Sequence, residues 1–207
     1  MSVKDKKRGR PSRKTSALSE ARIIDTAKSL LLADGKIPSI RKLATALDVD
    51  AMAIYHYFSS KNALLVAITS SLVDSIYQPG STSPITIENW QQELHTLSAS
   101  YLSLLTRYPG LLHTFLSMDA SSPAAIFADR YGLTIAPLAL SAEQTKYGLD
   151  LLADYLHGFA FAMECAATVP SNSSTPTQLI PMPDMITGPL QLYCAGLLHI
   201  AADNQQP

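Results

Sequence analysis

Residues 39–65 decide the fold of this chain, and they read SIRKLATALDVDAMAIYHYFSSKNALL. Ser39 can cap a short helix whose apolar side chains recur at helical spacing as far as Leu47. A three-residue turn follows at 48–50, where Asp50 can cap the next helix, and residues 51–57 form a second short helical run. Two short helices joined by such a turn, after a longer supporting helix, predict a helix-turn-helix that places one helix in the major groove of DNA.

Helical signals continue on both sides of this stretch. Upstream, Ser19 can cap a helix that Gly35 ends, and downstream Ser59 or Ser60 can cap a fourth helix. Residues 78–84 are rich in proline, glycine, serine and threonine and break the pattern. We therefore predict a three-helix head, with a fourth helix that joins it to the rest of the chain.

The remainder of the chain shows helical periodicity and no alternating run that would favour a strand. A capping box at Ser141 and Gln144 opens the clearest long helix, which should end near Ala167. Four prolines in residues 168–184 predict a flexible connection. Other helices are expected at residues 86–108 and 110–117, from Ser122 and Pro123 onward, and around Leu190, Tyr193, Leu197 and Ile200. The predicted fold class is all-α.

Charge is distributed unevenly along the chain, although the net charge is only -1. Residues 1–65 carry 13 lysines and arginines against 6 acidic residues, a net charge of +7, and residues 66–207 carry 3 against 11, a net charge of −8. A basic region is attracted to a polyanion because it releases condensed counterions from the phosphates. The alternative is an ordinary fluctuation of surface charge, but the basic excess coincides with the helix-turn-helix pattern.

Composition limits the class of protein further. Hydrophobic residues make up 47% and charged residues 16% of the chain, which excludes disorder for most of it. The longest apolar tract, residues 149–169, is interrupted by charged groups, so no membrane span is expected. The first eight residues lack the apolar stretch of a secretory signal, and Cys165 and Cys194 form no disulfide or metal pattern. We expect a cytoplasmic protein.

The stretch at residues 39–65 resembles the TetR family of transcriptional repressors, and the resemblance covers about residues 17–68. It departs at Asp48, where the family usually has glycine; aspartate adopts a left-handed backbone more readily than most residues. The resemblance implies a basic arm at 1–16, a helix-turn-helix domain at 17–66 and an effector-binding, dimerising helical domain at 67–207. It rests on Leu43, Ala44, Leu47, Val49, Ile54, Tyr55, His56, Tyr57, Phe58, Lys61, Leu64 and Leu65.

By position, the resemblance also implies DNA contacts. Arg41 matches a base-contacting position, where its guanidinium can bind guanine, and Lys61 matches a phosphate anchor. Alanine and methionine in the recognition helix, residues 51–57, favour contacts with thymine methyl groups. For Tyr55 and Tyr57, core packing is an equal alternative. The candidates in the head are Ser39, Arg41, Ala51, Met52, Tyr55, His56, Tyr57 and Lys61.

The basic arm contains a second candidate DNA motif. Residues 8–11 read RGRP and resemble the core of an AT-hook, in which Arg8 and Arg10 would lie in a narrow A·T minor groove. The alternative is a solvated tail that only adds nonspecific attraction. Both interpretations predict binding that is sensitive to salt.

Motifs for catalysis are absent from the sequence. It has no nucleophile elbow, phosphate loop or thiol motif, and its five histidines are dispersed, so we expect neither an enzyme nor a metal site nor a cofactor. The resemblance implies a cavity for a small-molecule effector and a dimer interface. Large apolar side chains with a polar group or a thioether are the candidates for the cavity: Tyr101, Arg107, His113, Phe115, Phe159 and Met163.

The dimer interface would be formed by the helix at about 142–167 and the last helix, where Gly158 and Gly196 permit close approach. The sequence thus predicts a homodimeric repressor that binds a palindromic operator in double-stranded DNA and is released by a small, largely apolar effector. Two alternatives remain at this stage: an architectural or nonspecific DNA-binding protein without an effector, and an enzyme or carrier with an incidental helix-turn-helix.

Overall fold

The computed structural model describes residues 18–74, 76–108, 123–168 and 182–204. Within these ranges the chain forms eight α-helices and one 3₁₀-helix, without a strand, so the predicted all-α class is confirmed. The basic arm, the helix expected at 110–117 and most of the proline-rich connection lie outside the described residues.

The head consists of three helices and the first half of a fourth. They are α1 (Glu20–Asp34), α2 (Ile40–Leu47), α3 (Ala51–Tyr55) and α4 (Lys61–Val73). Helix α2 packs on both α1 and α3, and α1 also packs on α4. This order and packing are those of the predicted helix-turn-helix with its supporting helix.

Polar side chains begin every helix of the head. The caps of α1, α2, α3 and α4 are Ser19, Ser39, Asp50 and Ser60, and each side-chain oxygen accepts a hydrogen bond from a backbone N–H in the first turn. Such caps satisfy N–H groups that have no partner within the helix. All four were expected from the sequence, and Ser60 is the residue that caps α4.

The body contains the remaining helices. They are α5 (Trp90–Arg107), α6 (Pro123–Ile135), a 3₁₀-helix (Ala136–Leu138), α7 (Ala142–Thr168) and α8 (Met182–Asp203). Helix α5 packs on α6, α7 and α8, and also on α4. It therefore lies at the centre of the body, and α4 is the main connection between body and head.

Two body helices begin at other positions than the sequence pattern suggested. Helix α5 starts at Trp90, because Asn89 Oδ1 accepts the Thr86 N–H at 2.7 Å and the Trp90 N–H bonds the Thr86 carbonyl at 3.0 Å, which closes a turn before the helix. Helix α8 starts at Met182 and continues through Pro189, which the sequence pattern had not indicated.

Hydrogen bonds between side chains far apart in sequence hold the body helices together. The Tyr193 hydroxyl donates to the Gly148 carbonyl at 2.7 Å and lies 2.6 Å from the Tyr131 hydroxyl, which joins α6, α7 and α8. A Cβ at Gly148 would collide with the Tyr131 hydroxyl, so only glycine permits this approach. Burial raises the pKa of Tyr131 to about 12, and both tyrosines remain neutral.

One end of the α7–α8 pair is fixed as well. Ser141 and Gln144 form the predicted capping box, with distances of 2.9 and 3.1 Å. The Gln144 side chain also exchanges two hydrogen bonds with Asn204 at the end of α8. The start of α7 is therefore joined to the end of α8.

Candidate DNA-binding surface

The turn between α2 and α3 sets the direction of the recognition helix. Asp48 has φ 56° and ψ 46°, the left-handed conformation, and its N–H bonds the carbonyls of Ala44 and Thr45. The Val49 N–H also bonds Ala44, at 3.1 Å. This closes α2 as a glycine would, so the departure from the family pattern leaves the turn intact.

Helix α3 has one inward side and one outward side. Ile54 is fully buried, whereas Met52 is 64% exposed and Tyr55 is 42% exposed. His56 and Tyr57 follow the helix and are exposed as well. An exposed methionine beside exposed aromatic side chains is an unusual solvent surface, and it is typical of a surface that binds a partner.

The α-helix ends at Tyr55, two residues earlier than the sequence pattern indicates. The Tyr57 N–H bonds the Ile54 carbonyl, three residues back, at 3.0 Å, and the Phe58 N–H bonds the same carbonyl at 3.1 Å. This tighter turn directs Phe58 into the core, where it is buried.

Tyr57 has a structural contact that the sequence could not reveal. Its hydroxyl donates to the Leu18 carbonyl at 2.7 Å, although the two residues are 39 positions apart. The contact connects the end of the recognition region to the residue just before α1. The ring of Tyr57 is exposed, and its hydroxyl is engaged in this bond.

The cations of the surface differ in their availability. Arg41 on α2 and Lys61 at the start of α4 are exposed, and in the part of the chain that the structure describes neither forms an ion pair. Lys42, in contrast, pairs with Asp34 at 2.5 Å. Arg41 and Lys61 are therefore candidates that DNA can engage without breaking an ion pair.

Ser39 and Ala51 complete the predicted set in the head. Ser39 is exposed, and its oxygen accepts the Lys42 N–H at 3.2 Å, so its own hydroxyl proton is still available to a phosphate. Ala51 is half-buried at the start of α3. The fold thus brings all eight head candidates onto α2, α3, the turn after α3 and the start of α4. Arg8 and Arg10 lie outside the described residues.

The effector candidates lie farther apart. Tyr101 is buried in α5, where its ring stacks on Phe127 at 4.3 Å and its hydroxyl lies 2.8 Å from His157 Nε2. Phe159 and Met163 are half-buried on α7. Arg107 is exposed at the end of α5, with its guanidinium 5.8 Å from the Tyr108 ring. His113 and Phe115 lie outside the described residues.

His157 is the residue near Tyr101 that the sequence analysis did not select as an effector contact. Burial lowers the pKa of His157, against an opposing effect of Asp154, and burial also raises the pKa of Tyr101. Both groups are therefore neutral near pH 7, and the imidazole can accept the hydroxyl proton. The only signal in the sequence was a single histidine beside the apolar stripe of α7.

The described residues include no cluster of metal ligands and one long apolar helix. Across the described ranges, no group of three potential ligands lies close enough to hold a metal ion. The segment Asp184–Asp203 is long and apolar enough to cross a membrane by length and composition. Part of this apolar character belongs to core positions such as Leu190 and Leu197, and another part to an exposed Leu192. This helix alone is therefore no argument for a membrane span.

A capped helix-turn-helix with an exposed, partly cationic surface is the arrangement that regulatory DNA-binding proteins use. Residues 23–68 match the model of the N-terminal domain of bacterial regulatory proteins of the tetR family. The resemblance drawn from the sequence is thereby confirmed, and residues 23–68 form a TetR-family N-terminal domain. No curated protein matches the chain.

Solved structures show that the likeness extends to the body. The TetR family protein ActR of Streptomyces coelicolor, in complex with actinorhodin, has a TM-score of 0.69 at 18% identity over 90% of this chain and 99% of its own. Mycobacterium smegmatis BioQ has a TM-score of 0.67 at 18% identity over 89% and 99%. A TetR variant from Acinetobacter baumannii AYE, in complex with minocycline, has a TM-score of 0.58 at 19% identity over 90% and 96%. The whole chain therefore has the TetR fold.

Proposed function

We propose that this protein is a homodimeric transcriptional repressor that binds a palindromic operator and is released by a small, largely apolar effector. The observation that carries the proposal is the exposed surface of α3 and its flanks, where Arg41, Met52 and Lys61 are all exposed. The boundaries at 1–16, 17–66 and 67–207 belong to the same proposal, as does a cytoplasmic location. So does the absence of catalytic activity.

The proposed roles in DNA binding follow from side-chain chemistry. Arg41 binds a guanine edge through two parallel hydrogen bonds, and Met52 with Ala51 contacts thymine methyl groups. Lys61 neutralises a phosphate, and the Ser39 hydroxyl donates to another. Tyr55, His56 and Tyr57 line the groove or its phosphates, and Arg8 and Arg10 extend the contact into the minor groove. BioQ, a protein of the same fold, has been solved with its natural double-stranded DNA operator.

The dimer face is the apolar surface of α7 and α8. Leu151 on α7 is 64% exposed and Leu192 on α8 is 78% exposed, and two adjoining grooves of about 340 and 270 Å³ share both leucines and Tyr193. A contiguous apolar patch of this kind marks an interaction site. A second copy would cover it in a two-fold symmetric arrangement, since the same surface is available on both chains.

Glycines on these two helices fit such an arrangement. At Gly158 and Gly196 an added Cβ would meet nothing within 4 Å, so both positions open onto free space in the single chain. Two helices from each copy can then approach closely enough to form a four-helix bundle. This supports the role that the sequence analysis assigned to the two glycines.

The effector site is proposed in the interior of the body, near Tyr101. Phe127 provides a stacked aromatic surface, and Tyr101 with His157 provides one hydrogen-bonding pair in otherwise apolar surroundings. Such a combination suits a mostly apolar molecule with few polar groups. Proteins of the same fold have been solved with actinorhodin and with minocycline. Phe159, Met163, Arg107, His113 and Phe115 remain proposed contacts.

Release follows from coupled equilibria. Suppose that the effector binds more tightly to a conformation in which the distance between the two recognition helices does not match the operator. Effector binding then lowers the affinity for the operator by the same factor by which operator binding lowers the affinity for the effector. The two helices of a helix-turn-helix dimer should lie about 34–36 Å apart for adjacent major grooves. Any change in this separation therefore reduces affinity for the operator.

Competition between duplexes tests the proposal. An operator is selected from a random-sequence library with the full-length protein, and its affinity is compared with that of scrambled duplex at several salt concentrations. We expect a preference of about 10³-fold or more for the operator at physiological salt. An equal affinity for both duplexes would instead favour the architectural protein without an effector.

A further inference from the structure

Arg130 on α6 is a charged residue that is buried in the body instead of lying on its surface. It is only 8% exposed. Its Nη1 donates to the Val73 carbonyl at 3.0 Å and to the Ile76 carbonyl at 2.9 Å. No carboxylate pairs with it within the described residues. A buried cation that bonds only neutral carbonyls is costly, so its retention calls for a specific role.

The two carbonyls lie at the end of α4 and just beyond it. The last carbonyls of a helix have no partner within the helix and carry the negative end of its dipole. The Ile76 N–H also bonds the Val73 carbonyl, at 2.9 Å, which draws the chain after α4 back toward the helix. Arg130 therefore caps the carboxyl end of α4 from another helix.

Helix α4 belongs to both parts of the molecule. Leu64 in its first half is buried and α1 packs on this helix, whereas its end at Val73 is bonded by Arg130 of α6. Its 13 residues span about 20 Å at 1.5 Å per residue. A tilt of about 10° at the carboxyl end would therefore move Lys61 by about 3 Å, which is the rise of about one base pair.

We propose that Arg130 is a positioning residue that fixes the tilt of α4 on the body, and thereby the half-site spacing that the dimer accepts. In a symmetric dimer both heads tilt by the same angle. The distance between the two recognition helices therefore changes by up to twice the displacement of one helix. The inference rests on the proposed function, because spacing has a meaning only for a protein that binds two half-sites.

Spacing variants of the operator test this role. The operator selected with the wild-type protein is lengthened or shortened at its centre by one, two or three base pairs, and affinities are measured for wild-type, Arg130→Lys and Arg130→Met. Each added base pair shifts a half-site by 3.4 Å and rotates it by about 35°. We expect the wild-type protein to lose at least about tenfold in affinity at two base pairs, since the second half-site contact is lost.

The Arg130 variants should discriminate less between operator spacings than the wild-type protein, and Arg130→Met should discriminate least. Arg130→Met leaves both carbonyls without the donor and should reduce the ratio between best and shifted spacing at least threefold, with binding to scrambled duplex unchanged within twofold. Arg130→Lys keeps a charged donor and should lie between. Thr134→Val is the matched control, because it removes a buried hydrogen bond of the same helix, from Thr134 to the Arg130 carbonyl, and leaves the Arg130 side chain in place.

Four results would overturn the proposal or the function beneath it. If Arg130→Met is folded and keeps the wild-type spacing profile, Arg130 has no positioning role. If Arg130→Met does not fold, an Arg130→Lys profile equal to that of the wild type leads to the same conclusion. If Thr134→Val flattens the profile equally, general loosening of α6 is the cause. If the wild-type protein itself shows no preferred spacing, the proposed operator-binding function fails instead.

Discussion

The hydrogen bonds that begin the helices of the head span far fewer residues than those that join the helices of the body. In the head, each cap joins residues two or three positions apart, as Ser39 does with Lys42 and Asp50 with Met52. In the body, the Tyr101 and His157 side chains meet across 56 positions. Local bonds make each head helix begin at a defined residue, whereas distant bonds hold body helices against one another.

The availability of cations shows the same contrast. Arg41 and Lys61 in the head are exposed and unpaired within the described residues, whereas in the body Lys146 pairs with Asp150 and Arg130 is buried against carbonyls. Arg41 and Lys61 are free for an external partner, whereas Lys146 and Arg130 serve internal contacts. Mutations in the two regions should therefore affect different measurements.

The largest effect is expected where the body presents its apolar face. Leu192→Asp places a charge at the centre of the proposed interface on both copies. Burial of one leucine side chain contributes about 1.5–3 kcal/mol, so two copies contribute about 3–6 kcal/mol, a factor of about 10²–10⁴ in the dimer dissociation constant. Sedimentation velocity measures the oligomeric state. Leu133→Asp is the control, since Leu133 is 52% exposed but lies on α6. A Leu192→Asp protein that remains dimeric would exclude this face.

The next effect concerns the exposed cations of the head. Arg41→Ala should cost about 1–3 kcal/mol for the selected operator and relax its specificity, whereas Lys61→Ala should weaken operator and scrambled duplex alike. Affinities for both duplexes at fixed salt separate the two roles. Lys146→Ala, on the body, should change neither. Equal losses on both duplexes for Arg41→Ala would show that it contacts phosphate and not a base.

Two aspartates around the turn of the head should have opposite effects on stability. Asp48→Gly relieves a left-handed aspartate and should raise the free energy of unfolding by about 0.5–1 kcal/mol. Asp50→Ala removes the cap of α3 and should lower it by about 0.5–2 kcal/mol. Denaturant unfolding measures both. If Asp48→Gly destabilises the protein, the Asp48 side chain makes a stabilising contact that outweighs backbone strain.

A smaller effect should appear in the pH dependence of the stability of the protein, through His157 in the body. Burial holds the pKa of His157 below its ordinary value of 6.5, so the unfolded chain binds a proton before the folded one does. Stability should therefore fall as pH decreases from about 7 through the unfolded pKa, and level off below the folded pKa. His157→Gln should reduce this slope in thermal unfolding between pH 7.5 and 5, whereas His56→Gln in the exposed head should leave it in place. An unchanged slope in His157→Gln would assign the dependence to other groups.

The same difference in range explains how much the sequence could predict. In the head, Ser19, Ser39, Asp50 and Ser60 are caps that a local pattern identifies, and the TetR-like residues follow at fixed spacing. The hydrogen bond from Tyr57 to Leu18 was not predicted, because a hydroxyl and a carbonyl 39 residues apart leave no local pattern in the sequence. The helix pattern also extended α3 to Tyr57, since it does not register the burial of Phe58 that tightens the turn.

In the body, local sequence patterns predicted the helices and the capping box, but not which helices contact one another. The box at Ser141 and Gln144 was predicted, whereas the bonds of Gln144 with Asn204 were not, because they depend on how α7 and α8 are arranged. Arg130 looked like one cation in an acidic segment, and only the packing of α6 on α4 shows that it is buried. The start of α8 and its passage through Pro189 likewise depend on packing that no local rule describes.

The central claim is that two copies of the head read one operator together. The most direct measurement is the mass and affinity of the complex between the full-length protein and the selected operator, beside a duplex that contains only one half-site. We predict two chains on the intact operator and an affinity for the half-site that is at least about 100-fold lower, since half of the base contacts are lost. A single chain bound to the operator, with equal affinity for the half-site, would contradict the account.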